Sequence, residues 1–196
     1  MPLRILCFVL LANLPLLAQA ETAKAIFAGG CFWCMESNYQ DLKGVQGVVS
    51  GFSGGSLKNP SYRGNHKGHY EAVEISYDPS VITYTELLTL FWHSIDPFDN
   101  KGQFCDKGPS YRSAIFISSS AERELANKSR NEVSARFPTE TVATEILDAS
   151  TFWPVEEGHQ DYYEKNPLRY KYYRWNCGRD QRVEEIWGDD AVSHPD

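Results

Sequence analysis

The sequence has no long run of basic residues and neither of the glycine patterns that bind phosphate. Its 19 Lys and Arg are outnumbered by 26 Asp and Glu, which gives a formal net charge of −7. Nucleic acids and anionic membranes are therefore not expected as partners, because both select clustered positive charge. Because the Walker loop and the G-x-G-x-x-G motif are both absent, no nucleotide site is predicted.

Cysteine is also scarce, and no internal repeat or linker interrupts the chain. Five cysteines in 196 residues are too few for a fold held together mainly by disulfides. The hydrophobic fraction of 42%, with 13% aromatic residues, is instead enough to build a sizeable core. A chain of this length favours a single domain.

The first 20 residues have the pattern of a secretory signal. Arg4 supplies positive charge, residues 5–17 are apolar apart from one asparagine, and residues 18–20 fit a small-x-small cleavage site. The apolar run is short for a transmembrane span, although an uncleaved anchor is the alternative. We therefore predict a signal peptide at 1–20, a single domain at 21–196 and an exported protein, periplasmic or secreted.

Hydrophobic periodicity in the rest of the chain predicts the order β-α-β-β-α-β, followed by a further helix and strand. The first six elements form a split β-α-β unit, with helices on one face of a mixed sheet. Residues 98–110 are expected to be a loop, and residues 151–196 short helices and coil wrapped over the core. The predicted elements, in chain order, are strand 24–28, helix 31–42, strand 45–52, strand 69–77, a helix ending before Asp96-Pro97, strand 111–118, helix 121–137 and strand 141–147.

Two helices begin with capping signals. Thr83 or Thr85 can cap the second helix, and Glu86 stands three residues after Thr83, as a capping box requires. Ser120 is expected to cap the third helix, which Pro138 stops.

Cys31 is the first candidate for chemistry, because it lies where a strand turns into a helix. Unpaired N–H groups and the helix dipole favour negative charge there, so we expect the pKa of the thiol to be lowered. Gly29 and Gly30 before it permit a tight turn and close approach of a ligand. The alternative is that Cys31 and Cys34 are buried apolar residues or a plain disulfide.

Several other side chains suit a nucleophile that acts on an oxygen-bearing substrate. Glu71 lies on the same face of its strand as Val73, which is the likelier core face. Burial there would raise the pKa of its carboxyl and keep it protonated. The phenols of Tyr62 and Tyr111 could donate hydrogen bonds, although ordinary packing is the default for a lone tyrosine. Phe32 and Trp33 could line an apolar pocket or belong to the core.

A metal site is the other use for these cysteines. A zinc site usually joins one close pair of ligands to a second close pair. Cys105 and Cys177 are each isolated in sequence, and His66 and His69 are more simply loop and strand-start residues. Metal binding is therefore not predicted.

The mature chain resembles the A-type peptide methionine sulfoxide reductases over nearly its whole length. The resemblance rests on several spaced motifs that occur in the right order: Gly30-Cys31-Phe32-Trp33, Tyr62-Arg63, Gly68-His69-Tyr70-Glu71-Ala72-Val73, Tyr77-Asp78-Pro79, Phe91-Trp92, Asp96-Pro97, Gly102-Gln103-Phe104-Cys105-Asp106, Tyr111-Arg112-Ser113-Ala114-Ile115 and Gly158-His159-Gln160-Asp161-Tyr162-Tyr163. It implies a two-layer α/β sandwich with a ferredoxin-like core.

The resemblance also implies an activity. Cys31 would attack the sulfur of a methionine (S)-sulfoxide, free or in a protein, and become a sulfenic acid. Glu71 would supply a proton to the oxygen, and a thioredoxin-like donor would reduce the resulting disulfide. The family needs no metal or organic cofactor. The remaining implied roles are oxygen binding by Tyr62 and Tyr111, methyl binding by Phe32 and Trp33, and pocket shaping by Asp106.

The resolving cysteine is not given by the resemblance, because many members have glycine at the position of Cys34. We predict Cys177, because it lies in a tail with little predicted regularity, where Arg174 and Arg179 would favour its thiolate. Cys34, one helical turn from Cys31, is the rival. Cys105 comes third, since its place beside Asp106 indicates pocket lining.

Two further functions remain open at this point. A thiol–disulfide oxidoreductase would use Cys31 and Cys34 but would leave Glu71 without a task. A secreted binding module stapled by disulfides would have no reactive thiol.

Overall fold

The computed structural model describes residues 22–192. The predicted signal peptide lies outside the described residues. Residues 22–192 contain eight strands and six α-helices: β1 (Ala23–Gly29), α1 (Phe32–Tyr39), β2 (Val45–Ser53), β3 (Tyr70–Tyr77), α2 (Tyr84–Trp92), β4 (Gly102–Gln103), β5 (Asp106–Lys107), β6 (Ser113–Ile117), α3 (Ser120–Arg136), β7 (Glu145–Asp148), β8 (Trp153–Pro154), α4 (Tyr162–Lys165), α5 (Pro167–Asn176) and α6 (Arg179–Trp187). No helix in this range is long and apolar enough to cross a membrane.

Six strands form one mixed sheet in the order β7-β6-β1-β3-β2-β8. The strand β3 lies between β1 and β2 and is antiparallel to both, and β6 is antiparallel to β1 on its other side. This is the predicted split β-α-β arrangement, and the parallel pairing of β7 with β6 makes the sheet mixed. The predicted ferredoxin-like core is confirmed.

The main core lies between one face of the sheet and the helices. Alternating side chains of β3 point into it, among them Val73 and Ile75, and the apolar stripe of α2 meets them with Leu88 and Phe91. Burying each such side chain contributes about 1.5–3 kcal/mol. Helices α1, α3 and α6 add residues to the same core, so the helices gather on one face as predicted.

The capping analysis is confirmed for one helix and corrected by one residue for another. Thr83 and Glu86 form a complete capping box at α2. At α3 the cap is Ser119 rather than Ser120, because the extended backbone at Ser119 lets its hydroxyl accept the N–H of Glu122.

The chain after residue 98 is more regular than its pattern indicates. Residues 98–110 include the short hairpin β4–β5 instead of loop alone. The tail contains α5 and α6, of 10 and 9 residues. Arg174 and Arg179 occupy buried positions on these helices, so no apolar periodicity marks them in the sequence.

Candidate active site

Cys31 stands between the end of β1 and the start of α1, as predicted. Gly30 turns the chain with φ +85°, and the carbonyl of Cys31 accepts the N–H groups of Cys34 and Met35. The N–H of Phe32, left free at the start of the helix, donates to Glu71 Oε2 at 3.1 Å. This hydrogen bond joins the turn that carries the thiol to strand β3.

Cys31 and Cys34 are both reduced and buried, and they interact with each other. Burial raises the pKa of Cys31, and the hydrogen bond with Cys34 and the charges of Cys34 and Glu71 act in the same direction. The hydrogen bond from Cys31 lowers the pKa of Cys34 to about 6. The expected lowering of the Cys31 pKa is therefore wrong, because burial outweighs the helix start, and the two sulfurs share a single proton.

The positive charges near this pair lie on the side of Cys34. Arg179 and Arg174 lower the pKa of Cys34, and so does a hydrogen bond from Tyr170. Arg179 is fully buried and donates to the carbonyl of Gly29 at 2.7 Å. The two arginines that the sequence analysis assigned to Cys177 thus act on Cys34 instead.

Glu71 is almost fully buried, and burial raises the pKa of its carboxyl to about 8. Its Oε2 accepts the Phe32 N–H, whereas its Oε1 has no hydrogen-bond partner although it is buried. Tyr111 lies close enough to this carboxyl to oppose the rise of its pKa. Because its pKa is about 8, Glu71 is protonated at neutral pH and can donate a proton to a bound ligand.

The two predicted tyrosines lie around the same carboxyl. Burial raises the pKa of Tyr62 to about 12, with further contributions from the charges of Glu71, Cys31 and Asp106. Burial and the charge of Glu71 also raise the pKa of Tyr111. Both phenols are therefore neutral at physiological pH and available as hydrogen-bond donors.

Aromatic rings form the wall of the site beside Cys31. Phe32 is fully buried and contacts Trp33, with ring centroids 6.2 Å apart, and Tyr62 at 5.9 Å. Two further aromatic residues, for which no role is predicted from the sequence, complete this wall. The ring of Tyr162 stacks on that of Trp33 with centroids 3.8 Å apart, and the ring centroid of His159 lies 4.0 Å from that of Tyr62. Their motif at 158–163 is part of the family resemblance, but His159 lies 48 residues beyond Tyr111, the nearest preceding site residue in sequence.

Two of the wall residues carry buried polar atoms without a partner. These atoms are Trp33 Nε1 and His159 Nδ1. Together with Glu71 Oε1, they add a few polar groups to a mainly aromatic cluster, which is the usual composition of a small-ligand site.

Glu36 connects helix α1 to the C-terminal segment that carries His159 and Tyr162. Its Oε2 accepts the N–H of Asp161 at 3.1 Å, and Asp161 has a left-handed backbone with φ 52°. Burial raises the pKa of Glu36 to about 7. The contact fixes the segment that presents His159 and Tyr162.

Cys105 and Cys177 are joined by a disulfide. Cys177 caps the end of α5 instead of lying in an irregular tail, so the structural premise for choosing it as the resolving cysteine is wrong. Asp106 places its two carboxylate oxygens 3.9 Å from the two sulfurs and accepts a hydrogen bond from Tyr173. Cys105, Asp106 and Cys177 have the spacing of metal ligands, but sulfurs bonded to each other are not the thiolates that a metal requires.

Comparison with known proteins decides the family. The model of the peptide methionine sulfoxide reductase family matches residues 23–191. The chain belongs to this family. It is 51% identical over 183 residues to peptide methionine sulfoxide reductase MsrA 2 of Caulobacter vibrioides, covering 92% of this chain and 93% of the relative.

Other relatives agree in sequence and in structure. The MsrA of Halalkalibacterium halodurans is 45% identical over 175 residues, covering 87% of this chain and 99% of the relative. The solved methionine sulfoxide reductase A of Corynebacterium diphtheriae superposes with a TM-score of 0.67 at 32% identity, covering 77% of this chain and 78% of the other. The protein is thus a methionine sulfoxide reductase, an oxidoreductase that uses cysteine chemistry.

The Gly30 turn generates the first prediction. Gly30→Ala places a side chain in the left-handed region and brings its Cβ to 2.6 Å from Gln103 Cβ. Gln103 cannot yield easily, because its side-chain amide bonds both the N–H and the carbonyl of Asp96. We expect the free energy of unfolding to fall by about 2 kcal/mol or more and sulfoxide reduction to fall with it.

Urea denaturation and a turnover assay measure both effects. Gly47→Ala is the matched control, because no atom lies within 4 Å of its added Cβ. Equal stability and activity in the two variants would contradict the role of the Gly30 turn.

Proposed function

We propose that the protein reduces methionine (S)-sulfoxide, in oxidised proteins and as the free amino acid, by attack of Cys31 on the sulfoxide sulfur. The unpaired Oε1 of Glu71 supports this proposal most directly, since it is a protonated oxygen that lacks a partner beside the thiol. A sulfoxide oxygen would complete its hydrogen bonding and receive its proton.

The first step conserves atoms and electrons. The sulfur of Cys31 attacks the sulfoxide sulfur and forms an S–S bond with it, with the proton of Cys31 left on Cys34. The oxygen then passes to Cys31 as the substrate S–O bond and this S–S bond break, which leaves a sulfenic acid on Cys31 and a reduced methionine. The substrate sulfur gains two electrons, and Cys31 loses two. Glu71 protonates the oxygen as it leaves the substrate sulfur.

The surrounding side chains would orient the substrate. Tyr62 and Tyr111 donate to the sulfoxide oxygen, while Phe32 and Trp33 hold the methyl group. The charge of Asp106 contributes to the raised pKa of both tyrosines, which supports a role for Asp106 in shaping the polar end of the pocket. Inversion at sulfur would exchange the oxygen and the methyl group, so the pocket favours one epimer.

The sulfenic acid must then be resolved, and the geometry supports Cys34. Its sulfur accepts a hydrogen bond from Cys31 and would take up the proton of Cys31 in the first step, which the release of water then uses. Attack by Cys34 forms the Cys31–Cys34 disulfide and releases the oxygen as water. Cys177 remains the alternative that the sequence analysis favoured, but it would first have to leave Cys105.

An external reductant has to reopen the resulting disulfide. The related yeast protein Mxr1 has been solved in complex with Trx2. We propose a thioredoxin-like donor for this protein as well. The signal-like residues 1–20 support export, so the donor and the oxidised substrates would be found in the periplasm or outside the cell.

The central test compares the two epimers of a blocked methionine sulfoxide. The reduced wild-type protein should convert the S epimer and leave the R epimer nearly untouched. Cys31→Ser should convert neither, because a hydroxyl is not an adequate nucleophile here. Chromatographic counting of reduced product decides the matter, and turnover by Cys31→Ser or exchange of dithiols without sulfoxide reduction would overturn the proposal.

Glu71 makes a second prediction. Glu71→Gln should slow the first turnover at pH 7 by ~10²–10⁴-fold, the usual worth of one general acid. The raised pKa of about 8 means that the wild-type acid is present below that pH and is lost as the pH rises through it. The ratio of wild-type to variant rate should therefore shrink above pH 8. Rapid-quench rates across pH 6–10 measure this ratio, and a constant ratio would remove Glu71 as the acid.

The resolving step makes a third prediction. After one turnover without reductant, the Cys105→Ser/Cys177→Ser double variant should still form the Cys31–Cys34 disulfide. Cys34→Ser should instead retain the sulfenic acid, which a dimedone-type reagent traps. Peptide mass mapping distinguishes the products, and a Cys31–Cys177 disulfide in the wild-type protein would restore Cys177 as the resolver.

A further inference from the structure

Tyr173 on α5 has no part in the scheme above, although it contacts three of its members. Its hydroxyl donates to Asp106, and its side chain packs against the buried cluster of Cys31 and Cys34, where it lowers the pKa of the Cys31 thiol. Its ring meets the Trp33 ring edge-on, with centroids 5.9 Å apart. The phenol therefore bridges the catalytic thiol and the Asp106 carboxylate.

The phenol has only one proton, so it can donate to Asp106 or to Cys31 but not to both at once. While Cys31 is protonated, its proton lies toward Cys34 and the hydroxyl of Tyr173 donates to Asp106. When Cys31 loses its proton, the hydroxyl can turn and donate to the thiolate. Burial raises the pKa of Tyr173, as do the charges of Cys31, Cys34 and Asp106, so the hydroxyl stays protonated.

The Cys105–Cys177 disulfide joins the two segments that this bridge connects. Asp106 follows Cys105 directly, and Tyr173 precedes Cys177 by one helical turn. The N–H of Cys105 also points at Cys177 Sγ, 3.2 Å away. The disulfide therefore fixes the donor and the acceptor of the Tyr173–Asp106 hydrogen bond to each other.

The other contacts of these segments go to other elements, as when Tyr170 and Arg174 of α5 hydrogen-bond Ser37 and Asn38 of α1. Helix α5 buries only Tyr170 and Arg174, and Trp175 and Leu168 on it are 76% and 85% exposed. The hairpin β4–β5 has two residues in each strand, which is too short to be stable alone. The covalent link is the strongest constraint between them.

We propose that Tyr173 is a positioning residue for Cys31, and that the Cys105–Cys177 disulfide holds it there. The proposal rests on the proposed function, since it takes Cys31 as the nucleophile. It assigns the disulfide to the first turnover, as a fixed strap across the site, and not to recycling.

The effect of Tyr173 on Cys31 is opposite to that of the other groups around the thiol. The hydrogen bond from Tyr173 favours the thiolate. Burial, Cys34 on α1 and Glu71 on β3 disfavour it. The other titratable groups that interact electrostatically with Cys31 are Tyr62, in the loop before β3, and Tyr111, before β6, and both stay neutral. Loss of the phenol should thus be visible in the titration of Cys31 itself.

The first experiment replaces Tyr173 by Phe, which keeps the ring against Trp33. The rate of the first turnover with the blocked S epimer should fall roughly 10-fold, the worth of one hydrogen bond to a charged group. Tyr172→Phe is the matched control, because Tyr172 is the exposed neighbour on the same helix and should keep the wild-type rate.

The second readout is the pH profile of Cys31 alkylation, measured in a Cys34→Ser background so that Cys31 is the single free thiol among residues 22–192. Adding Tyr173→Phe should move this profile to higher pH. A profile and a first-turnover rate unchanged by Tyr173→Phe would overturn the proposal.

The third experiment tests whether the Cys105–Cys177 disulfide holds Tyr173 in place. Cys105→Ser/Cys177→Ser should lower the first-turnover rate about as much as Tyr173→Phe, and the triple variant should be little slower than either. If the rate losses of the two variants multiply in the triple variant, the disulfide acts through residues other than Tyr173. If the wild type fails to reduce sulfoxide, the proposed function fails, whereas the alkylation profile still tests the Tyr173–Cys31 contact.

Discussion

The hydrogen bond from the Phe32 N–H to Glu71 is the contact on which the site depends. It uses a donor that every helix start leaves free, and it gives the buried carboxyl one of the few partners it has. The same bond fixes the spacing between the nucleophile and the acid, because Phe32 follows Cys31 directly. The register of β3 against β2 then fixes the position of Glu71 in the sheet, where it lies opposite Phe52.

Electrostatics in this site work through burial more than through the helix dipole. A short helix start does favour a thiolate, but complete removal from water costs more, so the charge of the thiol pair settles on the side of Cys34. There Arg174 and Arg179 compensate it. Each arginine has its own anchor, Asp180 for Arg174 and the carbonyl of Gly29 for Arg179, so these buried charges are held in place by several elements.

The sequence predicts those parts of the site that depend on local geometry. The Gly29-Gly30 turn places Cys31 at a helix start, and the two-residue period of β3 places Glu71 among core residues; both are confirmed. Contacts between distant segments leave no such periodic mark. Arg174 and Arg179 are buried polar residues at positions where an apolar stripe would be expected. Short helices were predicted in this stretch, but their bounds and the action of the two arginines on Cys34 could not be predicted. The Cys105–Cys177 pairing depends on the same unpredicted helix.

The central position of β1 has a consequence for how the protein is made. Strand β1 pairs with β3 and β6, and β6 begins 84 residues after β1 ends. The walls of the site come later still, from residues 159–173. A growing chain therefore exposes Cys31 and Cys34 well before it can enclose them, and in the order of synthesis they meet each other before Cys105 meets Cys177. The native arrangement, with the earlier pair reduced and the later pair joined, can only be established once the C-terminal helices have arrived.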